Sequence, residues 1–120
     1  MANVKIETSY EFETIVNPLL GVRSSAMATG VRVKLTNLSA APQRVTQIEI
    51  VRLGFLSKTI IYRSPEFDEI LPGHYKEYTY SASMLIGHSN KNYKFRIAVK
   101  VGDETLTTQT MDTAIFKKQY

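Results

Sequence analysis

Residues 30–53 read GVRVKLTNLSAAPQRVTQIEIVRL. Val31, Val33 and Leu35 alternate with Arg32, Lys34 and Thr36. A period of two makes one face apolar and leaves the other in water, which is the pattern of a half-buried strand. A helix would mix the Arg and Lys with the apolar groups. Thr36-Asn37 then gives way to LSAAPQ, where Pro42 lacks an N–H and is a poor member of a central strand. From Arg44 the chain is β-rich again, but Ile48 and Ile50 share one phase while Val45, Val51 and Leu53 share the other. Burial on both faces, or a β-bulge, accounts for the mixed phase. Arg52 falls in the phase of Ile48 and Ile50, so it is expected at a rim or beyond a bulge. The stretch reads as two strands, expected in opposite sheets, with NLSAAPQ passing over the end.

Toward the N-terminus, Val4, Ile6, Thr8, Tyr10, Phe12, Thr14 and Val16 alternate with Lys5, Glu7, Ser9, Glu11 and Glu13. This predicts a long strand over about 3–16 with a charged outer face, suited to a sheet edge. Asn17-Pro18 ends it. Residues 18–29, PLLGVRSSAMAT, carry no clear period and are expected to form a flexible segment.

Toward the C-terminus, Lys58 to Arg63, KTIIYR, predicts a short strand that Ser64-Pro65 terminates. Leu71-Pro72-Gly73 is a strong turn signal, since Pro fixes φ and Gly accepts a positive one. Tyr75 to Ser83 reads as the next strand, with Lys76, Tyr78, Tyr80, Ala82 and Met84 in one phase. GHSNKN at 87–92 is a loop. Tyr93, Phe95, Ile97, Val99 and Val101 alternate cleanly with Lys94, Arg96, Ala98 and Lys100. Gly102-Asp103 marks a hairpin, and Thr105 to Met111 returns as a Thr-rich strand. Residues 113–120 form a short tail that frays unless Ile115 and Phe116 anchor it. Seven or eight strands spaced by turns, with no sustained helical period, predict an all-β chain, a β-sandwich or a barrel, of which a single antiparallel β-sandwich is the reading taken.

At 120 residues the chain is expected to be one domain with its own core. It shows no internal repeat and no linker. It has no Cys, which removes disulfides, thiolate metal sites and a Cys nucleophile. The N-terminus has no apolar run behind a basic start, so no secretory signal is expected there; a mature secreted form stays open. No apolar run reaches transmembrane length. By default the chain is expected in the cytoplasm or as part of a particle. The net charge of +4 is unevenly placed, with cations concentrated over 21–63 and 91–100. Solvated strand faces are the plainer reading of these cations, and an acidic partner or nucleic acid the sharper one.

Thr36-Asn37 before a Pro-containing loop and a second β-rich run resembles the B and C strands of bacterial immunoglobulin-like domains. Leu71-Pro72-Gly73 before a Tyr-rich strand, then Tyr93–Val101 and a final hairpin, resembles the later strands of immunoglobulin-like and fibronectin type III-like modules. The resemblance spans about residues 28–112 and places Tyr93 where such folds often carry a tyrosine corner. The chain departs from antibody-type domains in having neither a Cys pair nor a Trp. The resemblance implies a sandwich used for binding or assembly, and seldom a catalyst.

Catalytic and metal chemistry find little support. His74 follows the Pro-Gly turn and His88 sits in a polar loop, with no carboxylates at ligand spacing. Ser83 and Ser89 lack a strained nucleophile turn. The scattered glycines form no phosphate cradle, and Glu66, Asp68 and Glu69 do not match a calcium loop. No cofactor is expected. Asn37-Leu38-Ser39 matches the N-glycosylation sequon, which matters only in a secretory pathway.

The candidate binding surface comprises Arg32, Lys34, Lys94, Arg96 and Lys100, with Tyr78 and Tyr80. If exposed, the two tyrosines form a platform for a sugar or peptide; if inward, they are core, which is the favoured reading. The chain is expected to be a non-enzymatic protein-interaction or assembly module. Its partner is another protein, or copies of itself through an edge strand. A structural subunit of a particle or fibre is one alternative, and a carbohydrate- or nucleic-acid-binding domain another.

Overall fold

The two halves of the 30–53 stretch lie in different sheets. The structure, a computed structural model, describes residues 3–13, 27–54, 56–86 and 92–116. Strands β1 (Val4–Glu13), β2 (Met27–Asn37) and β5 (Tyr75–Ser81) form a three-stranded sheet in the order β1-β2-β5. Strands β3 (Gln43–Leu53), β4 (Lys58–Ile70), β6 (Lys94–Val101) and β7 (Glu104–Thr107) run in the order β4-β3-β6-β7, and β8 (Met111–Asp112) also pairs with β6. All the strand pairings are antiparallel. Among the described residues, helix is confined to α1 (Ala82–Ile86) and a 3-10 turn over Thr113–Ile115. The chain is all-β.

One apolar cluster joins the sheets. Val31, Val33 and Leu35 of β2 meet Ile48 and Ile50 of β3 and Phe95, Ile97 and Val99 of β6, all fully buried. The mixed phase of β3 has a simple cause. Val45 pairs with Val101 while Gln47 pairs with Lys100, so Thr46 is an extra residue. This bulge turns Val45 inward together with Ile48 and Ile50, and sends Val51 and Leu53 to the outer face. Arg52 lies at the inner rim, its guanidinium 4.8 Å from the centre of the Tyr93 ring.

Asn37 ties the sheets at one end. Its side chain is completely buried. The amide nitrogen donates to the carbonyls of Ala41 at 2.9 Å and Ile70 at 2.8 Å. The amide oxygen accepts from the Ser39 N–H at 2.9 Å and the Ser39 hydroxyl at 2.6 Å. Its backbone N–H donates to His74 and its carbonyl accepts from Gly73. The loop leaving β2 and the turn leaving β4 are therefore joined through one residue. Both amide donors are engaged, so the folded chain offers no nitrogen for glycosylation at this sequon.

The strand boundaries depart from expectation in several places. The segment expected to be flexible over 18–29 is strand from Met27 onward, with Ala28 buried and paired with Phe12; residues 18–26, and 14–16 of the first strand, lie outside the described residues. Pro65 does not end its strand. β4 runs on to Ile70 because no described strand lies on its other side, and an edge position tolerates the missing donor. The strand expected to reach Ser83 stops at Ser81, whose hydroxyl accepts the Met84 N–H at 3.3 Å and starts α1. The predicted 105–111 strand breaks at Thr108, whose hydroxyl accepts the Ile97 N–H and replaces a ladder bond. The tail is anchored by Phe116, which is buried and stacks 6.2 Å from Phe95, whereas Ile115 is exposed; residues 117–120 lie outside the described residues. The turns hold as read: Gly73 and Gly102 take φ of 78° and 58°.

Candidate protein interface

The seven expected surface residues divide among three places. Arg32 and Lys34 point outward from the three-stranded sheet, Lys94, Arg96 and Lys100 outward from the five-stranded sheet, and Tyr78 and Tyr80 inward. They form no common surface.

The tyrosines seal the seam where edge strands β4 and β5 approach. The Tyr78 hydroxyl donates to Asp68 Oδ2 at 2.7 Å. Burial raises its pKa well above the ordinary tyrosine value, and the Asp68 hydrogen bond and charge add to the shift. Tyr80 is buried edge-on to Tyr62 at 5.9 Å, and burial again raises its pKa, helped by Tyr62 and Glu66. The inward tyrosine pair does not form an exposed platform. Lys76 joins the seam, with its ammonium 3.7 Å from Asp68.

The outer face of the three-stranded sheet is charge-balanced across its strands. Arg32 on the central strand reaches Glu11 of β1 at 2.6 Å and Glu77 of β5 at 3.5 Å. Lys5 lies 4.0 Å from Glu7, and Lys34 sits 4.4 Å above the Tyr75 ring. An open depression of about 580 Å³ is lined by Glu11, Thr29, Gly30, Arg32, Thr79 and Ser81, among others. Its charged groups already satisfy one another.

The outer face of the five-stranded sheet is different. Arg44, Lys58, Arg63, Lys94, Arg96 and Lys100 occupy its outward register positions, against Glu49, Glu69 and Asp112. Arg63 Nε lies 3.1 Å from Glu49, Arg96 Nε donates to the Thr110 hydroxyl at 2.9 Å, and Asp112 caps the 3-10 turn. Val51 pairs with Ile60 on one side and Arg96 on the other. Leu53 pairs likewise with Lys58 and Lys94. An apolar centre therefore lies between cations on both flanks. Ile60 and Ile61 are exposed, and Leu56 in the adjoining turn is 91 % exposed.

This patch borders a strand edge that is unpaired among the described residues. β4 is 13 residues long and pairs, among the described residues, only with β3. Its later half is guarded by Pro65, by the paired-residue bulge of Glu66 and Phe67 opposite Thr46, and by the inward acids Glu66 and Asp68. Its first half, Lys58–Arg63, carries one extra residue at Ile61 and otherwise lacks those guards. Lys94 and Arg96 belong to the surface expected from the sequence; Val51, Leu53, Lys58 and Ile60 do not. The available signal was the out-of-phase pair Val51 and Leu53, which is unexplained if the whole strand packs inward.

Among the described residues, no group of three or more His, Cys, Asp or Glu could hold a metal ion, and no helix is long and apolar enough to cross a membrane. His74 is exposed in its turn; His88 lies outside the described residues. No protein-family model matches the chain, and no curated protein matches it. An X-ray structure of Northeast Structural Genomics Consortium target SoR45 is similar with a TM-score of 0.57 and 10% identity, covering 100% of this chain and 95% of that one. At that identity, what the two share is the fold.

Proposed function

We propose that this chain is a non-enzymatic protein-interaction module built on an immunoglobulin-like β-sandwich. In immunoglobulin constant-type domains, strands A, B and E share one sheet and C, F and G the other. The order β1-β2-β5 against β3-β6-β7 supports that assignment, with β4 carried beside β3 instead of joining the first sheet. The switch leaves β4, among the described residues, as an unpaired edge continuous with the Val51, Leu53 and Ile60 patch. That patch, with Ile60 exposed and Val51 and Leu53 half-buried on the outer face, is the observation that carries the reading, because apolar surface rimmed by polar groups marks docking sites.

A photo-crosslinking residue tests this. It is placed at Ile60 in one variant and at Thr79, on the opposite outer face, in another. In lysate of the source cells the Ile60 variant is expected to yield discrete protein adducts and the Thr79 variant few. Equal labelling at both positions, or none at either, rejects the site.

A further inference from the structure

We propose, building on the docking reading above, that the occupant of this patch is an acidic segment of another protein that also carries apolar side chains. The argument rests on charge complementarity. Lys58 flanks the apolar centre from β4, and Lys94 and Arg96 flank it from β6. Among the described residues, no salt bridge engages any of these three cations. A segment with apolar groups in the middle and carboxylates on its shoulders matches this layout. Its apolar groups cover Val51, Leu53 and Ile60, and its carboxylates meet Lys58 and Arg96, whose register partners on β3 are Leu53 and Val51, and meet Lys94 in competition with Asp112, which stands opposite it without a salt bridge. Oppositely charged rims steer encounter and reject wrong partners.

Two other occupants fit less well. A nucleic acid supplies the negative charge but leaves Ile60 and the nearby Leu56 in water. Single-stranded binding also draws on aromatic rings for base stacking, and Val51, Leu53, Ile60, Lys58, Lys94 and Arg96 include none. A second copy docking through this same face about a two-fold axis would set cation against cation.

The test uses the full chain, immobilised, and a displayed library of random twelve-residue peptides. Selected peptides are expected to be enriched in Asp and Glu interleaved with apolar residues. The best synthetic peptide is then titrated against wild type, K94E/R96E, I60S and, on the opposite face, K5E. K94E/R96E and I60S are each expected to weaken binding on the order of tenfold or more. K5E is expected to bind as wild type does, and raised salt to weaken all the complexes. Circular dichroism and thermal melts verify that each variant is folded. The proposal is overturned if no peptide is enriched, if the enriched peptides lack acidic residues, or if K94E/R96E binds them unchanged. It is equally overturned if an oligothymidylate probe binds and the peptides do not, or if the chain only self-associates. If Ile60 adducts persist while the peptide result fails, the partner chemistry is wrong and the docking site stands. If both fail, the docking reading falls as well.

Discussion

On one side of the molecule Arg32 reaches Glu11 and Glu77 across three strands; on the other, Lys58, Lys94 and Arg96 flank Val51, Leu53 and Ile60, and among the described residues no salt bridge engages these three cations, although Asp112 stands opposite Lys94 in the register. Both faces are outward sheet surfaces of the same chain, and both alternate polar with apolar residues along their strands. The three-stranded face resolves its charges internally, so it gains little by meeting a partner. The five-stranded face keeps cations and apolar area in reserve. A basic count along the sequence does not separate these cases, because what matters is whether a carboxylate across the ladder reaches the cation.

The contrast depends on the sheets staying assembled, so the largest effect is expected at Asn37. N37A leaves the Ile70 and Ala41 carbonyls without their donor and should cost about 3 kcal/mol or more, read as a lowered urea midpoint. An unchanged midpoint would mean that the network is not the tie. Next is Gly30, where a Cβ would lie 2.5 Å from the Tyr80 carbonyl oxygen. G30A must push β2 from β5 and should cost about 2 kcal/mol. Amide exchange should then rise in β2 and β5 and stay slow in β3 and β6, which separates the sheets experimentally.

Alkali probes the seam between the faces. Tyr78 and Tyr80 have folded pKa values raised above the unfolded one, as do Tyr10 and Tyr93. The folded state then holds protons that the unfolded chain has released. Stability is fully present below the unfolded tyrosine value of about 10 and falls as pH rises above it. Y78F should flatten that fall in a denaturant series from neutral to strongly alkaline pH; an identical slope would remove Tyr78 from the account. A smaller effect is expected at Arg32. R32A leaves Glu11 and Glu77 without their shared cation and should cost about 1 kcal/mol at low salt, less at high salt. The smallest is K94A, which should alter stability by no more than about 0.5 kcal/mol. If K94A instead destabilised the fold as much as R32A, the two faces would not differ as described.

Much of the fold was legible. The clean alternations of Val31–Leu35 and Phe95–Val101, and the turns at Gly73 and Gly102, follow from local backbone and side-chain physics. The segments that misled were those whose state depends on neighbours. Pro65 looked like a strand end, but an edge strand needs no donor on its free side. Ala82 and Met84 continued a strand phase, yet Ser81 caps a short helix there. Asn37 looked like a sequon because its role requires Ala41, Ile70 and Ser39 to converge on it. The proposed docking patch was legible only in part: Lys94 and Arg96 stood out as basic, while the mixed phase of Val51 and Leu53 fitted burial on both faces as well as a bulge, and Ile60 marked only a strand.

The stretch 30–53 holds both lessons. Its alternation established a half-buried strand, and its loop required a second one, because side-chain period and proline chemistry act over a few residues. Thr46 had to be seen between Val101 and Lys100 before its role as a bulge was known. That single extra residue sets which of Val45, Ile48, Val51 and Leu53 face inward. The choice is made by pairing with β6 and by burial against β2, interactions between residues far apart in the chain. For that reason the outer patch belongs to the folded molecule, and the strands that carry it belong to the sequence.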